Sequence, residues 1–149
     1  MNKASSDKKG IINTKNIGLR GIKVADTKIC GVDGKKGILE YRGYNVTELA
    51  KKSNFEETAY LLLYGDLPTY KQLSLFKTEL KKAREIPEKV IQNLKSRASS
   101  ALSMDVLQST IAHLADFDSD LLSEDKEAHR RKGIRLISKV STVIAAWDR

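Results

Sequence analysis

The segment that decides the fold spans residues 53–69 and reads SNFEETAYLLLYGDLPT. It contains the start, the apolar side and the end of one helix. Ser53 and Glu56 have the spacing of a capping box, in which each side chain binds the backbone N–H of the other residue. Gly65 is typical of a helix C-terminus, and Pro68 then interrupts the chain. We therefore predict a helix that follows Ser53 and ends at Gly65.

Helical patterns continue on both sides of this segment. Upstream, Asn45 is a suitable N-cap for a short helix over Val46–Lys52. Downstream, Thr69 and Gln72 repeat the capping-box spacing. The helix that they begin has apolar residues three and four positions apart, with lysines on its other faces. Its apolar residues are Leu73, Phe76 and Leu80. These patterns predict a mainly α-helical chain.

Two later helices are more apolar than one buried face requires. We predict them over Met104–Asp116, capped by Ser103, and over His129–Arg149, with an acidic loop between them that ends at Asp125. Their apolar stripes include Leu107 and Ile137, which we interpret as interface or core. A helix with such a broad apolar sector is buried on more than one side. We therefore expect these two helices to meet a second copy of the chain.

The N-terminal region differs from the rest. Residues 1–17 are polar and without periodicity, so we predict a flexible tail. Asp33-Gly34 is a turn signal between two β-branched segments. We predict a hairpin in which Lys23–Cys30 pairs with Gly37–Arg42. The overall expectation is a mainly α fold with one small N-terminal β-hairpin.

Length and composition bound the class of protein. The chain has 149 residues, a formal charge of +8 and 40% apolar residues, which is sufficient for one folded domain. No apolar run approaches the roughly 20 residues of a membrane span, and no secretory signal is present. Cys30 is the single cysteine, so an intramolecular disulfide is excluded and we expect a reducing, cytoplasmic location.

The basic charge does not favour nucleic acid as a partner. Residues 98–125 carry a net charge of −6, whereas residues 71–97 and 126–149 each carry +5. A nucleic-acid interface requires a continuous basic surface, usually with aromatic residues between the charges. We interpret the charged runs as solvated helix faces.

No group of residues has the spacing of a catalytic or metal site. His113 lies beside an apolar stripe, and we interpret it as a partly buried, hydrogen-bonded side chain rather than a general base. His129 is too far from it for a helical metal pair, and we place it at a solvated helix start. Cys30 is expected to be a small packed hydrophobe. The basic residues 130–132 leave a phosphate site at a helix start as the less favoured alternative. We assign no catalytic, cofactor-binding or metal-ligating residue.

Several segments resemble the citrate synthase family, of the bacterial and archaeal type, with 2-methylcitrate synthase as a near relative. The most specific are Tyr-Arg-Gly-Tyr at residues 41–44 and Leu-Leu-Tyr-Gly-Asp-Leu-Pro-Thr at residues 62–69. The other matching segments are residues 18–22, 38–50, 104–107, 135–140 and 145–149. One departure is Leu102-Ser103, where many relatives have His-Pro.

The resemblance implies the family's fold and reaction. It identifies residues 18–149 as the N-terminal part of a large helical domain, truncated or split from the rest. It implies an acyltransferase of the tricarboxylic acid cycle that condenses acetyl-CoA with oxaloacetate to give citrate and CoA, without a metal or other cofactor. The family's two catalytic histidines and its aspartate lie downstream of the matched region. We therefore expect this chain alone to be inactive, and to form a homodimer through Met104–Asp116 and His129–Arg149.

Two alternatives remain beside this interpretation. The chain is a non-enzymatic helical dimerisation module derived from the family, or it is a segment of a 2-methylcitrate synthase. The acyl donor cannot be inferred from the residues present.

Overall fold

A computed structural model of the protein describes residues 25–148. The predicted tail at residues 1–17 and the resembling segment at residues 18–22 lie outside the described residues. The chain is mainly helical with a small sheet, as the sequence predicted. The strands are β1 (Cys30–Asp33), β2 (Ile38–Tyr41) and β3 (Tyr44–Asn45). The helices are α1 (Val46–Lys52), α2 (Phe55–Tyr64), α3 (Tyr70–Lys82), α4 (Glu88–Lys95), α5 (Ser103–Leu114) and α6 (Lys126–Asp148), with a 3-10 turn at Ala115–Phe117 after α5.

The sheet is antiparallel in the order β1-β2-β3, and its register corrects the predicted hairpin. Cys30 pairs with Tyr41 and Asp33 pairs with Ile38. The first strand thus begins where we predicted it to end, and residues 25–29 are not in a strand. The reason is the turn. The Asp33 carboxylate accepts hydrogen bonds from the backbone N–H groups of Lys35 and Lys36, both at 3.1 Å, so the strand runs as far as Asp33.

Helices α1 and α3 begin as predicted. The Asn45 side chain accepts a hydrogen bond from the backbone N–H of Thr47 at 2.9 Å, and Thr69 forms a complete capping box with Gln72. Gly65 ends α2 in the left-handed conformation, with φ of 106°. A residue with a side chain is strained in that conformation, which is why glycine is preferred there.

Three other predicted helix starts are wrong by one to three residues. The N-cap of α2 is Asn54 rather than Ser53, because Asn54 and Glu57 form the reciprocal pair of hydrogen bonds at 3.0 and 3.2 Å. The N-cap of α5 is Leu102, without a side-chain bond, rather than Ser103. Helix α6 starts at Lys126 rather than near His129. The Asp125 carboxylate accepts a hydrogen bond from the Ala128 N–H at 2.9 Å and so caps the helix earlier.

Two apolar cores share α6. The first core joins α2, α3 and the first half of α6, and the second core joins α4, α5 and the second half of α6. The buried residues of the first are Ala59, Phe76, Leu80 and Ile134, and those of the second are Val90, Leu114 and Val143. Helix α6 therefore positions the rest of the helical structure.

Candidate functional site

The side chains that could act as a general acid, a general base or a metal ligand do not lie close together. The His113 ring is half-buried and lies edge-on to Phe117, with ring centroids 5.5 Å apart. His129 is exposed in the first turn of α6. Within residues 25–148, no three His, Cys, Asp or Glu side chains are grouped so as to hold a metal ion. In the part of the chain that the structure describes, neither histidine side chain forms a hydrogen bond or ion pair with a carboxylate.

Cys30 departs from its predicted role. We expected a small packed hydrophobe, but the side chain is exposed. It lies at the start of β1, a strand at the edge of the described sheet, with solvent rather than a core around it. No feature on the described chain marks it as a reactive thiol.

The basic residues 130–132 are already paired within the protein. Arg130 donates to the Leu63 carbonyl oxygen at 3.3 Å and pairs with Glu127. Lys132 donates from Nζ to the Ser123 carbonyl oxygen at 2.7 Å. Arg131 binds both carboxylate oxygens of Asp120. Each of the three side chains thus uses some of its donors within the protein, and the phosphate site stays the less favoured alternative.

A network of two carboxylates and two guanidinium groups joins the α5–α6 connection to α6. Arg131 binds Asp120 at 2.7 and 2.9 Å. Arg135 binds Asp118 at 2.5 and 2.9 Å and also Asp120 at 2.7 Å. Burial acts to raise the pKa of Asp118, but the hydrogen bonds from Arg135 and from the Asp120 N–H, together with the charge of Arg135, outweigh it, and the pKa lies below its usual value. The hydrogen bonds from Arg131 and Arg135 likewise lower the pKa of Asp120.

Two arginines from distant parts of the sequence bind the C-terminal end of α2. Arg42 donates from Nη2 to the Leu62 carbonyl oxygen at 2.9 Å, and Arg130 binds the next carbonyl, that of Leu63. The last carbonyls of a helix have no partner within it, and cations near them are favoured by the helix dipole. Arg42 belongs to Tyr-Arg-Gly-Tyr, and Leu62 begins the second specific motif of the sequence. The two motifs are therefore in direct contact.

Arg130 also contacts the aromatic part of the first core. Its guanidinium lies 4.8 Å from the centre of the Tyr64 ring, which stacks on Tyr60 at 4.2 Å. Burial, together with the nearby Glu79 carboxylate, raises the pKa of Tyr64. This arrangement supports the fold, and no spacing in the sequence predicts it.

An apolar groove runs along α5 and α6, hereafter the α5–α6 groove. One depression, of about 150 Å³, lies between Ile111, Leu114 and Leu136. A second, of about 210 Å³, lies farther along the same two helices between Leu107, Ile144 and others. The α6 residues that line one depression or the other follow the three- and four-residue spacing of one side of a helix. They are Lys132, Arg135, Leu136 and Lys139 at the first depression and Val143, Ile144, Trp147 and Asp148 at the second.

Large apolar side chains around this groove are exposed. Met104 has 72% of its surface exposed, Ile144 51% and Leu136 40%. Leu107 and Ile137, by contrast, pack against the two cores. The two helices that we predicted to have apolar surface to spare do have it, and Leu107 also lines the second depression of the groove.

None of the helices in residues 25–148 combines the length and the apolar character needed to cross a membrane.

Comparison with known proteins indicates a protein family, which the geometry of the described residues alone does not. The sequence model described as "Citrate synthase, C-terminal domain" matches residues 18–149. Citrate synthase from Saccharolobus solfataricus is 37% identical over 128 residues, which are 86% of this chain and 33% of that protein. The 2-methylcitrate synthase of Shewanella oneidensis is 35% identical over 133 residues, which are 89% of this chain and 34% of that protein.

The comparison of structures agrees with the comparison of sequences. The crystal structure of citrate synthase from Pyrobaculum aerophilum superposes with a TM-score of 0.81 at 33% identity, over 89% of this chain and 35% of that one. The chain spans about a third of the length of the curated relatives that it matches.

Proposed function

This chain belongs to the citrate synthase family, and from that premise we propose that it forms the N-terminal part of the large helical domain of an acyltransferase. The reaction is the condensation of acetyl-CoA with oxaloacetate to give citrate and CoA in the cytoplasm. The contact between the two specific motifs, made by Arg42 and the Leu62 carbonyl oxygen, supports this placement. Through this contact, the two specific motifs that resemble the family form one structural unit.

The reaction needs groups that residues 25–148 do not bring together. A base must remove a proton from the acetyl methyl group, and donors must stabilise the enolate oxygen and polarise the ketone. His113 and His129 lie apart, without an acidic partner. The proposal therefore assigns the catalytic groups to the remaining two thirds of the family's length, and it needs no metal or other cofactor.

The first experiment tests the activity directly. The purified 149-residue chain is supplied with acetyl-CoA and oxaloacetate, and the release of CoA is measured. We expect no turnover. The same chain is then mixed with the Saccharolobus solfataricus enzyme from which the matched segment has been removed. We expect CoA release only from the mixture.

The control for this experiment is the relative's own matched segment, supplied as a separate chain. If that segment restores activity and the present chain does not, the placement is wrong. Turnover by the 149-residue chain alone also contradicts it.

The second part of the proposal concerns the partner. We propose that a second copy of the chain covers the α5–α6 groove. The observation that carries this is the exposure of Met104 and Ile144 beside apolar depressions, on the helices that the resemblance assigns to the homodimer. An exposed apolar groove of this kind is typical of a protein–protein contact.

The association is tested by sedimentation of the wild type and of Ile144→Asp. We expect a dimer for the wild type and a monomer for the variant, because the carboxylate has no partner in an apolar contact. The matched control is Leu75→Asp on α3, since Leu75 is 61% exposed but lies away from the groove. Circular dichroism of each variant confirms the helical fold. A dimer that withstands Ile144→Asp contradicts the proposal.

Two other functions remain to be distinguished. The Shewanella oneidensis relative favours a 2-methylcitrate synthase as the second candidate, and replacing acetyl-CoA by propionyl-CoA in the mixture separates the two by their relative rates. A non-enzymatic dimerisation module is the third. It predicts a dimer of the present chain together with no CoA release from the mixture, although the control mixture is active.

A further inference from the structure

Residues 118–125 connect the turn after α5 to α6 without regular secondary structure, and we call them the strap. The apolar residues of the strap are poorly buried, since Leu122 is 93% exposed and Leu121 is 47% exposed. Its attachments to α6 are polar. The carboxylates of Asp118 and Asp120 bind guanidinium groups, and Lys132 binds the Ser123 carbonyl oxygen.

Arg135 is central among these attachments. Its Nη2 atom binds Asp118 Oδ1 at 2.5 Å and Asp120 Oδ2 at 2.7 Å, and its Nε atom binds Asp118 Oδ2 at 2.9 Å. Arg131 binds Asp120 alone. Removing the Arg135 guanidinium therefore leaves Asp118 without a charged partner on α6 and Asp120 with one.

The strap also forms one wall of the smaller apolar depression in the α5–α6 groove. Leu121 contributes from the strap, opposite Ile111, Leu114 and Leu136 from the helices. Arg135 and Asp118 line the same depression, at its polar side. Movement of the strap away from α6 would widen this depression of about 150 Å³ and expose the helix residues beneath it.

We propose that residues 118–125 are a releasable strap, fastened by Arg135, that opens and closes the apolar depression between α5 and α6. Release breaks ion pairs in which Asp118, Asp120 and Arg135 are only 14–24% exposed, and it uncovers Leu114 at the edge of the second core. The first core contains no strap residue, so release is a local opening rather than unfolding. The strap thus sets how much apolar surface the groove offers, independently of whether a second copy covers it.

Hydrogen exchange measures the opening directly. Three strap amides donate within the strap and report its closed form. The Asp120 N–H binds the Asp118 carboxylate at 2.9 Å, the Leu121 N–H binds the Asp118 carbonyl oxygen at 3.0 Å, and the Ser123 N–H binds the Asp120 carbonyl oxygen at 2.9 Å. In Arg135→Gln we expect these amides to exchange roughly tenfold faster than in the wild type, as for the loss of charge-assisted bonds.

The matched control is Lys139→Gln. Lys139 lies one turn farther along α6 and lines the same depression, but it forms no ion pair among residues 25–148. We expect the control to leave strap exchange unchanged. Binding of the dye 1-anilinonaphthalene-8-sulfonate, which fluoresces on apolar surface, should increase in Arg135→Gln and not in the control.

Equal strap exchange in Arg135→Gln and the wild type overturns the proposal. If Arg135→Gln accelerates exchange throughout α5 and α6, then Asp118→Asn decides the question, because it removes one attachment and keeps the arginine. Strap-specific acceleration in Asp118→Asn supports the strap. Wild-type exchange in Asp118→Asn refutes it.

Discussion

The two halves of α6 differ in both sequence and surroundings. Residues 126–138 lie against α2 and α3, where Ile134 is 6% exposed and joins a core with Phe76. Residues 139–148 lie against α4 and α5, where Val143 is buried but Ile144 is 51% exposed. Apart from Leu136, which is 40% exposed, the apolar side chains of the first half are largely covered within this chain, whereas the second half is covered on one side only.

The charged side chains follow the same division. Arg130, Arg131 and Arg135 are all paired with carboxylates or backbone carbonyls in the first half. The second half of α6 contributes Trp147, whose indole N–H reaches the Ser103 hydroxyl at 3.3 Å. A single helix with a broad apolar pattern can therefore be packed into a core along one part of its length and leave apolar side chains exposed along another.

The largest effect is expected where the helix is covered. Phe76→Ala removes a side chain that is 2% exposed, and we expect it to lower the free energy of unfolding by about 3–5 kcal/mol. The adjacent Leu75→Ala should change it by less than about 0.5 kcal/mol, because Leu75 is exposed. Urea denaturation measures both. Equal losses of unfolding free energy in the two variants would show that the burial of Phe76 does not contribute more to stability than the exposed Leu75.

The second effect is on the pH dependence of stability, through the ion pairs made by the first half of α6. The folded protein lowers the pKa of Asp118 and of Asp120, so their contribution to stability is present above the unfolded pKa of about 4. It is lost as the pH falls through the lower folded values, when the carboxylates become protonated. We expect the thermal midpoint to fall less steeply below about pH 4 in Asp118→Asn than in the wild type. Parallel pH profiles would show that the network does not contribute.

A smaller effect, of opposite sign, is expected in α5. Thr110 is 1% exposed, and its hydroxyl has no hydrogen-bond partner among residues 25–148. Thr110→Val keeps the shape and removes the unpaired group, so we expect a gain of about 1 kcal/mol. The control is Thr78→Val, because the exposed Thr78 hydroxyl binds the Ser74 carbonyl oxygen at 2.9 Å. A loss of stability in Thr110→Val, measured by urea denaturation, would show that the hydroxyl is satisfied.

The smallest effect is expected on the uncovered surface. Met104 is 72% exposed, so Met104→Ser should change the unfolding free energy of the monomer by less than about 0.5 kcal/mol. Denaturation is measured at a protein concentration where sedimentation shows a monomer. A loss comparable with that of a core residue would mean that the groove is already closed within the chain.

The sequence predicted the parts of the fold that depend on neighbours in the chain. The caps at Asn45 and Thr69 and the glycine end at Gly65 are local, and the structure confirms them. The start of α2 moved by one residue because Ser53 and Asn54 are both able to cap a helix, and Asn54 has the better partner in Glu57. The hairpin was wrong because the carboxylate of Asp33 defines the turn and allows the strand to reach it.

The contacts between distant residues were not predicted. Arg42 and Leu62 are 20 positions apart and Arg135 and Asp118 are 17 apart, so no periodicity relates them. The apolar excess of α5 and α6 was predicted, since it is a property of composition along a helix. Which of its residues remain exposed depends on how α4 and the cores pack, and so Leu107 and Ile137 are partly buried against the cores while Leu107 also lines the groove.

The two arginines at the end of α2 have a consequence for how the molecule comes apart. Arg42 holds the sheet and Arg130 holds α6 to adjacent carbonyls of one helix. If either element detaches, a carbonyl loses its partner and the remaining attachment becomes weaker. The sheet, α2 and α6 are therefore expected to unfold together as one cooperative unit, although they derive from opposite ends of the described chain.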